Sequence, residues 1–149
     1  MTHELRVERW IDAPPEVVFD TLVDPDAQQE LFAGPTGEGW GLLESEIDLR
    51  VGGTWTAVLG GTEGESSRLT YVFTEIDRPR RLAATLTMRY SGRTENSTLS
   101  LTFEERDGGT LLTLVQGGFE TEEQRDAYLS GAPGFLDALQ RAVASRVAG

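Results

Sequence analysis

The chain has 149 residues, 38% of them hydrophobic, with 17 glycines, a formal charge of −12 from 25 acidic against 13 basic residues, and no cysteine. That composition excludes a disordered segment and gives one domain, expected over residues 1–149, enough apolar surface for a core without disulfides or metals. Nucleic acid and an anionic membrane are excluded as partners because both need clustered positive charge. The missing cysteine removes thiol nucleophiles, redox pairs and thiolate metal sites.

No stretch approaches the 18 or more apolar residues of a membrane span, and Met1-Thr2-His3-Glu4-Leu5-Arg6 carries no apolar leader, so a cytoplasmic location without membrane insertion is expected. Leu5 to Ile11 alternate apolar and charged residues, the period of a half-buried strand. Pro14-Pro15 then presets a first helical turn, and Val18, Phe19, Leu22 and Val23 follow at helical spacing. Asp24-Pro25 repeats the start signal before Leu31 and Phe32, predicting a second short helix closed by a loop over Gly34 to Gly39.

From Leu43 the pattern changes to strands divided by turn chemistry. Leu43 to Arg50 and Thr54 to Leu59 flank Gly52-Gly53; a polar loop spans Gly60 to Ser67; Leu69 to Ile76 and Leu82 to Tyr90 flank Asp77 to Arg80. Thr98 to Glu105 and Thr110 to Gln116 flank Asp107-Gly108-Gly109, a strong hairpin signal. Phe135, Leu136, Leu139, Ala142, Val143 and Val147 share one face of a C-terminal helix from about Ala132, and a separate helical piece over Glu122 to Leu129 precedes it across Gly131-Ala132-Pro133-Gly134. The fold class is α+β: about seven antiparallel strands with two short helices between the first two, and a long last helix.

Seven strands about 4.8 Å apart make a sheet about 34 Å wide, whereas a helix with its side chains is about 10–12 Å thick. One helix cannot cover that sheet. Alternations such as Leu82, Ala84, Leu86, Met88 and Leu99, Leu101, Phe103 give it one apolar face, which it can hide by curling round the helix. A cavity then remains wherever the two diverge. The expected walls are Trp55, Tyr71, Phe73, Leu86, Met88, Leu101, Phe103, Leu114, Phe135 and Leu139, with Gln116 as a polar group among apolar ones. Parity on the strand of Tyr71 and Phe73 depends on whether a bulge falls near Glu75.

Four stretches carry a family resemblance: Ile11-Asp12-Ala13-Pro14-Pro15-Glu16-Val17-Val18-Phe19, Asp48-Leu49-Arg50-Val51-Gly52-Gly53-Thr54-Trp55, Glu75-Ile76-Asp77-Arg78-Pro79-Arg80-Arg81-Leu82 and Gly109-Thr110-Leu111-Leu112-Thr113-Leu114. In this order they resemble the START-related (SRPBCC, helix-grip) superfamily, and within it bacterial proteins similar to the C-terminal domain of the activator of heat-shock protein 90 ATPase. The resemblance implies a helix-grip fold and relatives that bind lipids, sterols or polyketides, act as cyclases or hydrolases, or serve as co-chaperones. Where such relatives commonly carry a tryptophan before the phenylalanine of the second helix and a Gly-Trp opening the last, this chain has Leu31-Phe32 and Gly134-Phe135.

His3 is the only histidine and there is no lysine, so a histidine base, a Ser-His triad, a His-based metal site and a Schiff-base lysine are excluded. Glu44, Glu46 and Asp48 share one strand face that could hold a hard cation, but they read as a solvent face, and no metal or cofactor is expected. Arg78, Arg80 and Arg81 read as a solvated hairpin loop. Possible polar anchors are Arg50, Tyr90 and Tyr128. Three readings follow: binding of a small apolar molecule; a cyclase or hydrolase in which Tyr71, Gln116 and Arg50 polarise a carbonyl; or a module that meets a chaperone through its acidic exterior. Monomer and homodimer both remain open.

Overall fold

The computed structural model describes residues 3–32, 41–60 and 66–148. The chain runs β1 (His3–Ile11), α1 (Pro15–Leu22), a single 3-10 turn (Pro25–Ala27), α2 (Gln28–Leu31), β2 (Gly41–Ile47), β3 (Thr54–Gly60), β4 (Ser66–Asp77), β5 (Arg81–Tyr90), β6 (Arg93–Arg106), β7 (Gly109–Phe119) and α3 (Glu122–Ala148). The strands form one curved antiparallel sheet in the order β1-β7-β6-β5-β4-β3-β2. This is the helix-grip arrangement. The expected loop over 34–39 and the residues 61–65 of the expected polar loop lie outside the described residues.

Local chemistry explains the boundaries. Pro15 opens α1 at the position where a missing N–H costs nothing, and the Asp24 side chain caps the 3-10 turn by accepting from the Asp26 N–H at 2.9 Å. Asp107 and Gly108, both at positive φ, form the tight turn between β6 and β7, and Ser91 and Gly92 do the same between β5 and β6. The second turn lengthens β6: it starts at Arg93 instead of Thr98, and its polar first residues pair with the end of β5. β1 likewise begins at His3, opposite Phe119.

A bulge between Phe73 and Glu75 lets Leu69, Tyr71 and Phe73 face inward at odd positions while Ile76 packs inward at an even one. A second bulge between Leu42 and Glu44 turns Leu43 out to solvent, where parity alone puts it on the inner face. Glu44 and Glu46 stand exposed on the outer surface opposite Val58 and Thr56. Asp48 pairs with Arg50, and no group of three metal-ligating side chains exists among the described residues.

The largest departure from expectation is at the C-terminus. The two predicted helical pieces are one helix of 27 residues that runs through Pro133. Pro133 is exposed, so its ring faces solvent, and the Leu129 carbonyl that it leaves without a helical donor belongs to a residue that is itself exposed. Packing of Ala132, Leu136 and Leu139 on either side holds the helix through the interruption.

Salt bridges fasten the helical elements to the sheet and to one another. Arg78 grips Asp20 of α1 through two bonds of 2.8 and 2.7 Å, Arg146 of α3 meets Asp24 at 2.8 Å, and Arg9 of β1 meets Asp137 at 2.8 Å. Arg80 and Arg81 pair with Asp77 and Glu75, so the three arginines around Pro79 form no free cationic patch. None of the helices among the described residues is long and apolar enough to cross a membrane.

Candidate functional site

The inner face of the sheet is covered unevenly. At one end α1 fills the gap: Phe19 meets Phe103 edge-on, with ring centroids 5.3 Å apart, and Leu112, Leu139 and Val143 complete a packed core. At the other end α2 and the first half of α3 stand off from the strands, leaving an apolar cavity of about 430 Å³. That is within the range of roughly 300–1,000 Å³ typical of small-molecule sites.

Small residues of α3 keep the space open. Ala127, Tyr128, Gly131, Ala132 and Phe135 recur at helical spacing along its cavity face. A Cβ added at Gly131 would touch no heavy atom within 4 Å. Opposite stand Trp55, Tyr71, Leu86, Met88, Leu101 and Leu114, with Gln116 beside them.

Three positions expected on the wall are elsewhere. Phe73, Phe103 and Leu139 lie in the filled core, where Phe73 stacks on Trp55 at 6.4 Å and Phe103 meets Phe19. They share the correct face with the wall residues but stand outside the open level, and strand parity reports face only. Of the expected anchors, Tyr128 lines the cavity, whereas Arg50 and Tyr90 do not. Arg50 sits on the turn after β2, 70% exposed, with its guanidinium on Asp48 at 2.7 Å. Tyr90 ends β5 beyond the level of the cavity and is 37% exposed. Tyr71, Gln116 and Arg50 are therefore not brought together as a carbonyl-polarising trio.

Several cavity residues escape the sequence reading. Leu22, Leu31 and Phe32 enter from the short helices, and Leu59, Leu69 and Leu99 from strands. The strand leucines obey the same alternation as the named ones, so parity could have found them. The contribution of the short helices depends on Gln28, a buried polar residue with no apolar pattern to mark it. Its amide N–H₂ donates to the carbonyls of Leu22 and Asp24 at 3.1 and 3.0 Å, and its Oε1 accepts from the Trp55 indole at 2.8 Å. One side chain thus closes the α1–α2 corner and pins Trp55 against it.

Polar chemistry in the cavity is sparse. Gln116 Nε2 donates to Ser97 Oγ at 3.0 Å. The Tyr128 hydroxyl donates to Met88 Sδ at 3.3 Å, a weak acceptor. Tyr71 has no hydrogen-bond partner among the described residues, and none of their fully enclosed side-chain polar atoms lacks one, so the Tyr71 hydroxyl opens onto the cavity. Burial pushes the Tyr128 phenol up to about 12, with a further push from the Glu95 charge. It raises Tyr71 further still, with Tyr128 adding repulsion. Both phenols stay protonated at neutral pH and serve as donors.

The arrangement matches known structures. A protein from Rhizobium leguminosarum superposes with a TM-score of 0.84 at 24% identity, over 97% of this chain and 96% of that one. One from Rhizobium loti gives 0.81 at 21% identity, over 95% and 97%, and a protein of unknown function from Staphylococcus aureus gives 0.81 at 16%, over 100% and 98%. These likenesses establish the fold. No curated protein matches the chain. The family model described as activator of Hsp90 ATPase homolog 1-like protein matches residues 12–144, and with the helix-grip architecture around it the chain belongs to that family, within the SRPBCC superfamily.

Proposed function

We propose that this protein binds a small, mostly apolar molecule in the cavity between the sheet and the first half of α3. The observation that carries the reading is the cavity itself, about 430 Å³ walled mainly by leucines and aromatic rings. The pocket is partly open, so its leucine and aromatic wall stays in contact with water when nothing is bound. An apolar occupant removes that wall from water, which favours binding by roughly 25 cal/mol per Å² covered. Taking the roughly 30 Å³ of one liquid water, the cavity has room for about fourteen atoms of oxygen size.

Leu86→Trp and Leu101→Trp test the reading. Both side chains are buried and line the cavity, so an indole at either position occupies ligand space. The uncharged fluorophore phenylnaphthylamine is expected to light up with the natural chain and to lose that signal with each variant, while far-UV circular dichroism stays the same. Undiminished uptake by both folded variants rules the cavity out as the binding site.

A further inference from the structure

The cavity wall carries no charged side chain among the described residues, and two of its polar groups are already engaged. The Trp55 N–H is held by Gln28, and one of the two Gln116 amide hydrogens by Ser97. The uncommitted donors are the second amide hydrogen of Gln116 and a pair of phenols, and it is the phenols that stand together on one patch of wall. The Tyr71 hydroxyl has no partner among the described residues, and that of Tyr128 rests on a thioether sulfur at 3.3 Å, from which a better acceptor would readily draw it.

The two phenols border one patch of wall. Tyr71 stands opposite Leu86 on the β4–β5 ladder, and Met88, which receives Tyr128, is two residues further along the same inner face, opposite Leu69. Both rings pack on the cluster of Ala57, Leu69 and Leu86. The Tyr71 ring is fixed by Trp55 at 5.0 Å and that of Tyr128 by Phe119 at 5.0 Å, so neither phenol is free to swing away.

Resting on the apolar-ligand reading above, we infer that Tyr71 and Tyr128 donate hydrogen bonds to a single uncharged carbonyl oxygen of the ligand, so that the cavity selects ketones, esters or lactones over hydrocarbons of the same shape and over carboxylates. A carbonyl oxygen has two lone pairs and accepts two such donors. A carboxylate would bring a charge into an apolar space with no cation to meet it.

The test uses the full chain and three probes of one shape: acetylnaphthalene, ethylnaphthalene and naphthoate, titrated calorimetrically. The ketone is expected to bind at least about tenfold more tightly than the hydrocarbon, at roughly three- to tenfold per hydrogen bond, and naphthoate more weakly than either. The infrared carbonyl stretch of bound acetylnaphthalene should move to lower frequency than in hexane. Tyr71→Phe and Tyr128→Phe should each shrink the ketone-to-hydrocarbon ratio by roughly three- to tenfold and move the stretch back. Tyr71→Phe should not lower the melting temperature, because its hydroxyl leaves no protein partner behind.

Equal affinity for ketone and hydrocarbon, or naphthoate binding as tightly as the ketone, overturns the carbonyl assignment and leaves the apolar site standing. A destabilised Tyr71→Phe also overturns it, since the hydroxyl must then be bonded within the protein. Failure of all three probes to bind removes the apolar-ligand reading and the carbonyl assignment with it.

Discussion

Filling the cavity from the helix side should strengthen the fold and weaken binding at once. Gly131 lies within α3 on the cavity face, and a Cβ there meets nothing within 4 Å. Gly131→Ala removes the cost of a helical glycine, about 0.8–1 kcal/mol, and at about 2–4 °C per kcal/mol for a chain of this size should raise the melting temperature by that amount. Gly131→Leu keeps most of the gain and adds an isobutyl group of four carbons. At about 0.8 kcal/mol per buried CH₂, half-counted because the position is exposed, this contributes about 1.5 kcal/mol more. The sum is about 2 kcal/mol, or roughly 4–8 °C. The carbons that enter the cavity displace ligand of equal size, which on the same half-count costs about 1.5 kcal/mol of binding, on the order of tenfold. Circular dichroism melting and phenylnaphthylamine titration measure the two effects separately. A leucine variant that melts below the natural chain shows that the space is not there; one that melts higher yet holds the probe as tightly shows that the ligand does not use it.

Gln28→Ala leaves the Trp55 indole and the Leu22 carbonyl without partners in a buried corner, while the Asp24 carbonyl keeps the Ala27 N–H, and should cost about 2–4 kcal/mol, seen as a melting temperature lower by roughly 5–15 °C. Arg78, through its hydrogen bonds, holds the Asp20 carboxyl below its ordinary value despite some opposing burial; a depressed carboxylate stabilises the fold above the unfolded-state value and loses that contribution as pH falls through the folded one. Asp20→Asn should therefore melt below the natural chain at neutral pH, and the difference should vanish in acid below the usual carboxylate range. For the phenols the sign is reversed: the folded chain keeps protons that the unfolded chain releases near pH 10. Stability should then fall as pH rises above about 10, and fall less steeply in Tyr71→Phe, as denaturant titrations at graded pH would measure.

The element order was legible because each signal was local. Pro14-Pro15 and Asp24-Pro25 mark the helix starts, Asp107-Gly108 marks a hairpin, and the alternations on β5, β6 and β7 assign their inner faces. What local signals missed depends on tertiary packing. Gly131-Ala132-Pro133-Gly134 reads as a break, yet Pro133 falls on the exposed side of α3 and the helix passes through. Leu43 reads as inward until the bulge after Leu42 reverses it. On the wall, alternation selects the side chains that face the helix but says nothing of their height along it. Phe103 and Leu114 share a face on adjacent strands, and only the position of Phe19 decides that one is packed and the other borders open space. Arg50 stands just before Gly52-Gly53, where a long side chain could reach round the turn, but Asp48 two residues earlier captures it at the surface.

The most direct measurement is nuclear Overhauser contact between phenylnaphthylamine and the methyl groups of the selectively labelled full chain. Contacts from the probe to Leu86, Met88, Leu101 and Leu114 are expected, each weaker in Gly131→Leu at the same sub-saturating probe concentration. Contacts confined to surface side chains such as Leu43 and Val51, with the four interior methyls silent at saturation, would contradict a ligand held between the sheet and α3.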